Sequence, residues 1–204
     1  MWVLKSFLLA LSLVPLKLMG MILIPVGLKF KQEFPETAKP FTQYPERGNW
    51  RLVRLPSWLK WYDNQYDGFL GDKRGWWANE CDGKHESLKC MWQWGAIRNP
   101  TNYFNRSVIS LDVSKCRIVK LAGNVDVVTE EPGMREWQHL CAYHENGKEY
   151  HRFFMSWAIT NDHGIMIDIG YKIKLAHNGM SQDAPDKDKL RSPVFSLSPW
   201  KKLT

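Results

Sequence analysis

Residues 63–77 read DNQYDGFLGDKRGWW, with Asp63, Asp67 and Asp72 interleaved with Gly68, Gly71 and Gly75. Carboxylates and glycines at this density build oxygen-ligand metal loops, Asx turns and charged recognition loops. The spacing Asp63-x-Gln65-x-Asp67-Gly68 matches the first half of a calcium-binding EF-hand loop, but Gln65 stands where Asp or Asn ligates. Arg74 occupies the place of the bidentate glutamate that closes such a loop. Lys73 and Arg74 are also placed to neutralise the three carboxylates. The favoured reading is a structural turn pinned by Asx hydrogen bonds, ahead of partner recognition and of a metal site built from Asp63, Asp67 and Asp72. No cofactor is indicated.

The cysteines at 81, 90, 116 and 141 form no C-x-x-C pair. Cys81, His85 and Cys90 together with Cys141 and His144 could supply a zinc sphere, at spacings irregular for paired zinc knuckles. A Cys81–Cys90 disulfide would need an oxidising compartment, and free thiols are the expected state. His139, His144 and His151 fall on or near a hairpin. Imidazoles at period two share a face of a strand and could form a site with Glu145 or Glu149, although half-exposed strand histidines are the commoner outcome. Asn105-Arg106-Ser107 matches a glycosylation sequon, used only in a secreted eukaryotic chain. No nucleophile elbow, phosphate-binding loop, HExxH or dinucleotide fingerprint is present, so an enzyme is not the favoured reading.

The elements that must carry these residues begin with an apolar N-terminus. SFLLALSLVPLKLMGMILIPVGL (residues 6–28) contains one charge, Lys17. A helix of that length spans a hydrocarbon core of roughly 30 Å. Lys17 costs about 3 kcal/mol near its centre, which the surrounding Leu, Ile, Val and Phe residues offset at about 0.3–0.6 kcal/mol each. Pro15 and Pro25 argue against a straight helix, so a kinked or re-entrant segment and a helix lying in the interface stay open. A cleaved signal fits less well, because the apolar run is long and no small-x-small site follows it. Lys29, Lys31, Lys39, Arg47, Arg51, Arg54 and Lys60 follow the segment, against Lys5 before it, which puts the remainder of the chain on the cytoplasmic side.

Of the formal charge of +7, the four lysines of residues 1–31 supply more than half. The rest interleaves both signs, which argues against a dedicated nucleic-acid surface. Residues 32–49, with Pro35, Pro40 and Pro45, form an extended linker. Trp58, Trp61 and Tyr62 share one face of a short helix beginning near Pro56, as a headgroup belt or as core. LKCMWQWGAIRNP (88–100) is a second short helix. From residue 107 short β-branched runs follow, SVISLDV, RIVKLAG and VDVVTE. Asn146-Gly147 lies between WQHLCAYH and EYHRFFMSWAI and predicts a hairpin. In IMIDIGYKIKLA, period two puts Ile165, Ile167 and Ile169 on one face and Met166, Asp168 and Gly170 on a wet one. The expected organisation is an anchor (1–31, kinked at Pro15 and Pro25), the linker (32–49), a tryptophan-rich α+β domain with an antiparallel sheet and a few short helices (50–177), and a loop or tail (178–204) pinned by Phe195 and Trp200.

WLKWYDNQYDGFLGDKRGWW, GAIRNPTNYFNR, Ala122-Gly123-Asn124 and IDIGYKIK together resemble a family of uncharacterised, membrane-anchored tailed-bacteriophage proteins. Asp63, Asn64, Asp67, Gly68, Gly71, Asp72, Arg74, Gly75, Trp76, Arg98, Asn99, Pro100 and Asn102 carry the resemblance, over most of residues 50–175, while Tyr103 departs from a second expected Asn. The resemblance implies a phage-encoded protein and brings no activity with it. Arg74 and Arg98 are the expected ion partners of Asp63, Asp67 or Asp72. The reading is a single-pass, non-enzymatic protein of the host inner membrane, contacting lipid and binding a host or phage protein in host modification or superinfection exclusion. A virion-associated structural protein and a hydrolase using Asp63, Asp67 and Asp72 with a metal are the alternatives.

Overall fold

The computed structural model describes residues 1–35, 51–64, 68–70, 81–124, 136–161, 163–175 and 189–202. It is an α+β fold: an apolar N-terminal helical run, then antiparallel sheets and a few short helices. Contacts divide the chain into two compact units, one of residues 13–108 and one of residues 1–12 with 109–204.

Helices α1 (Trp2–Ser12) and α2 (Val14–Leu28) meet at Leu13, just before Pro15. Pro15 falls in the first turn of α2, where the missing N–H has no intrahelical acceptor to miss. Pro25 lies inside α2 and leaves the Met21 carbonyl without its i+4 donor. The Trp92 indole Nε1–H donates to that carbonyl at 3.0 Å, so the proline is accommodated by a tertiary hydrogen bond. In the unit of residues 13–108, α2 buries Gly20, Ile24, Gly27 and Leu28. A Cβ on Gly20 would stand 3.0 Å from the Tyr62 ring, so the bare backbone is what lets the two approach. The opposite face of α2 leaves Val14, Leu18, Ile22 and Val26 exposed, Ile22 at 71%.

The rest of that unit packs around the same core. Strands β1 (Gln32–Pro35) and β2 (Arg51–Arg54) pair antiparallel, and a 3-10 turn (Ser57–Tyr62) follows. Helix α3 (Leu88–Trp92) starts at Ser87, whose hydroxyl accepts from the Cys90 N–H. A π-helical turn (Gln93–Arg98) and α4 (Asn102–Ser107) complete it. Ile24, Leu28, Val53, Leu55, Leu59, Phe69 and Met91 form the core. Each such side chain contributes roughly 1.5–3 kcal/mol on burial.

The other unit is a five-stranded antiparallel sheet in the order β4 (Cys116–Gly123), β5 (Glu136–His144), β6 (Glu149–Ala158), β7 (His163–Tyr171), β9 (Pro193–Lys202). A small pair, β3 (Leu111–Asp112) with β8 (Leu190–Arg191), accompanies it. The predicted hairpin is β5–β6, with Tyr143 opposite Glu149 and Gly147 at φ 82°. One face of the sheet carries Ile118, Leu140 and Ala142 against Leu111, Val113 and Ile173. Helix α1 contributes to the other face, where Phe7 meets Phe195 edge-on at 5.6 Å.

Four sequence expectations change here. The alternation in β7 marked the Asp168 face as wet, yet Asp168 is buried. Arg152 forks onto it through Nε–Oδ1 and Nη2–Oδ2, both 2.8 Å, and donates its remaining Nη1 to the Ile173 carbonyl at 3.0 Å. The charge is tolerated because each donor and acceptor in the fork is used. The tail also holds β9, a strand that its prolines disguised: Pro193 opens it, and Pro199 and Trp200 together oppose Ile165 where the register shifts. SVISLDV ends α4 before it becomes β3. VDVVTE and most of the proline-spaced linker lie outside the described residues, and the first four linker residues form β1.

Arg152 is 4% exposed, so removing its partner leaves a buried, uncompensated cation. Asp168→Ala is expected to cost about 3–5 kcal/mol in urea unfolding. The Arg152→Met/Asp168→Leu pair should recover much of that loss, because an apolar replacement of both partners leaves no orphan charge.

Candidate functional site

Asp63 sits at the end of the 3-10 turn, 2% exposed. Its Oδ2 accepts from Arg54 Nε at 2.6 Å, and its Oδ1 accepts from the backbone N–H groups of Leu55 and Asn64 at 3.2 and 3.0 Å. Its own carbonyl accepts from the Tyr103 N–H at 3.0 Å. The Asp63 segment and the RNP segment are therefore tied together, although their residues lie far apart in sequence. Trp94 adds a second tie by donating Nε1–H to the Gly68 carbonyl at 3.1 Å, and Trp61 packs edge-on against Tyr103 and Phe104. Gly68 has φ +62°, and a Cβ there would lie 2.9 Å from the Val53 carbonyl oxygen. Only glycine suits both demands.

Among the described residues the cation beside Asp63 is Arg54; Arg74, nominated from the sequence with Arg98 for Asp63, Asp67 or Asp72, lies outside them. Arg98 is exposed at the end of the π-helical turn. Asn99 donates Nδ2–H to the Trp94 carbonyl, and the Pro100 carbonyl accepts from Thr101 Oγ1 at 2.6 Å. Among the described residues, the side-chain amide of Asn64 and the Oδ1 of Asn102 are buried without hydrogen-bond partners. Asp67, Gly71, Asp72, Arg74, Gly75 and Trp76 lie outside the described residues. With both of its oxygens engaged, Asp63 acts here as a clasp between two segments.

The expectation of free thiols is corrected at one pair. Cys81 and Cys90 are joined by a disulfide with Cα atoms 5.8 Å apart, while Cys116 and Cys141 keep their thiols. Burial, then the neighbouring Asp112, Glu145 and Cys141, pushes the Cys116 thiol up to about 11. A thiol held that far above its usual range is a poor nucleophile at neutral pH.

A second constellation lies on the α1-bearing face of the sheet. Cys141 is the cross-strand partner of His151, and Tyr143 that of Glu149. Period two then puts His139, Cys141, Glu149 and His151 on one face. One ligand atom from each of Cys141, Glu149 and His151 falls within 4.8 Å of the others. His151 Nδ1 lies 3.2 Å from His139 Nε2, and its other nitrogen, Nε2, lies 3.7 Å from a Glu149 oxygen. Trp2 of α1 stacks on both imidazoles, with ring centroids 5.3 Å apart in each case. A cavity of about 630 Å³ adjoins the cluster, lined by Trp2, Lys5, Lys148, Glu149, Tyr150 and His151 among others. The sequence put His139, His151 and Glu149 in one candidate site but grouped Cys141 with His144. Those two residues are three apart on one strand and face opposite ways; the pairing that matters is the cross-strand one.

A third feature is apolar and aromatic. Trp2–Leu28 is long and apolar enough to cross a membrane, and only 17% of its most apolar window is buried. Beyond α2, Phe30 packs edge-on against Trp58; Phe30 is 62% exposed and Trp58 60%. Trp61 is also exposed, with Lys60 Nζ 5.2 Å from its ring centroid, while Tyr62 is buried. The turn therefore divides its aromatics between surface and core.

Burial holds the His139 imidazole below its ordinary pKa of 6.5. Burial and then the facing His139 do the same to His151, against the opposing pull of Glu149. The unfolded chain therefore binds protons first as pH falls. This stabilisation is fully present above the ordinary value and is lost as pH drops through the depressed ones. The melting temperature should fall between about pH 7.5 and about pH 5, and His139→Gln/His151→Gln should flatten that fall. An unchanged slope in the double variant would assign the acid sensitivity elsewhere. No curated protein and no solved structure matches this chain. A family described as Family of unknown function (DUF7338) matches residues 1–204 throughout, and the chain belongs to that family.

Proposed function

We propose that this is a membrane-associated protein whose N-terminal helices are built into its folded units and present an apolar outer face to lipid. One observation carries the reading. Helix α2 buries Ile24 and Leu28 in a protein core while Leu18, Ile22 and Val26 on its other side stay exposed. A helix detached as a stem would need no protein-facing glycines, and a helix of a water-soluble core would not expose this stripe. The exposed Phe30, Trp58 and Trp61, close to Lys29, Lys31 and Lys60 in sequence, have the composition of a headgroup belt. Two-sided packing of this kind favours a helix lying in the interface plane over a single-pass span.

The Cys81–Cys90 disulfide favours an oxidising compartment. The lysine and arginine bias that pointed to the cytoplasm has force only for a true span. The reading therefore puts the folded units at the outer, oxidising surface of the host inner membrane, with the apolar N-terminus serving as an uncleaved export signal before it settles into the interface. The role proposed there is binding a host or phage protein, in host modification or superinfection exclusion, on the motive of a membrane-associated folded chain whose sequence carries no catalytic signature.

Vesicle flotation of the purified chain tests this. The protein should float with vesicles containing anionic lipid, and Leu18→Glu/Ile22→Glu should leave it at the bottom of the gradient with its circular dichroism unchanged. A phosphatase reporter fused after Thr204 should be active in cells. A chain that ignores vesicles and assembles into defined oligomers through the same face would instead support the virion-associated alternative.

A further inference from the structure

We propose that Cys141, Glu149 and His151 form a binding site for a divalent transition-metal ion of the zinc class, with its remaining coordination position toward the adjoining cavity. This is independent of the membrane reading. The donor set is a thiolate, an imidazole and a carboxylate, a combination that zinc accepts and that calcium and magnesium, with their all-oxygen preference, do not. The three ligand atoms already lie within 4.8 Å of one another. A tetrahedral ion with bonds of about 2.0–2.3 Å needs donor separations of roughly 3.3–3.8 Å. Rotation of the Glu149 and Cys141 side chains toward the stacked His151 ring closes that difference without moving the strands, because the hairpin register sets Cys141 directly across from His151.

The surroundings match what a metal-bound histidine requires. A ligating imidazole uses one nitrogen for the ion and gives the other N–H to an acceptor that orients the ring. His151 has this division: Nε2 faces Glu149, and Nδ1 meets His139 Nε2 at 3.2 Å. His139 is then a positioning residue. Trp2 covers both rings and restricts their rotation. An ordinary buried thiol would account for Cys141 being 0% exposed, but it gives no reason for a carboxylate and an imidazole to converge on it. Three protein ligands leave a fourth position, as in open zinc sites. Glu149 and His151 border the cavity, where Lys5 and Lys148 would favour water or a small anion as the fourth ligand.

Binding to the cysteine displaces its thiol proton, so affinity rises with pH. The experiment is titration of the full-length chain, in detergent, with zinc chloride against a competing chelator and with cobalt chloride in the spectrophotometer. One zinc per chain, a rise in melting temperature with added zinc, and a sulfur-to-cobalt charge-transfer band are expected. Cys141→Ser should abolish the band and Cys116→Ser should leave it. Glu149→Gln should weaken zinc binding, and His139→Ala should weaken it by about 10- to 100-fold. No stoichiometric zinc, or a cobalt band that survives Cys141→Ser, overturns the proposal. If Cys141→Ser does not fold, unchanged zinc affinity in folded Glu149→Gln and His139→Ala overturns it equally.

Discussion

Gly147 adopts φ 82°, and the tight turn it permits sets Tyr143 opposite Glu149. From that closure every pair along β5 and β6 follows, down to Glu136 opposite Ser156. Because successive side chains alternate faces, a slip of one residue would invert the whole set. Arg152 would leave the face on which it grips Asp168, and His151 would part from Cys141. The salt bridge of one face and the sulfur–imidazole cluster of the other thus depend on the same turn. The Arg152 fork reinforces that register, since it spans from β6 to β7 and reaches on to the Ile173 carbonyl.

The unit of residues 13–108 is governed by a different constraint, the accommodation of an apolar helix containing a proline. Pro25 removes a donor, and Trp92 supplies one in its place. Gly20 and Gly27 let Tyr62 and Leu59 come close to the helix axis. These contacts fix which side of α2 faces protein, and hence which side is left bare. The Asp63 clasp then ties the turn after β2 to the first turn of α4, so the exposed Trp58 and Trp61 sit on a turn held by backbone hydrogen bonds.

Features with a local period were legible in the sequence: the apolar helical run, the Asn-Gly hairpin and the alternation of β7. Features made by distant partners were not. Alternation identifies two faces but does not say which is covered, so the Asp168 face was read as wet. Nothing local to Arg54 marks it as the partner of Asp63. β9 was hidden because Pro193 and Pro199 carry the composition of a loop, and only its pairing with β7 makes it a strand. Cys141 joined the wrong histidine because strand register is not a property of spacing along one strand. For the candidate site, the histidines and Glu149 were found by period, whereas the sulfur needed the fold.

The same irregularities that hid the outer strands give them a further property. β4 and β9 are the margins of the five-stranded sheet, and a margin offers unpaired amides to any passing strand. β4 shifts register between Lys120 and Ala122, and β9 shifts at Pro199 beside Lys201 and Lys202. Such kinks and cations spoil the template for strand addition. Both margins of the sheet are thereby poor templates for cross-β growth in a chain that exposes much aliphatic surface on its helices.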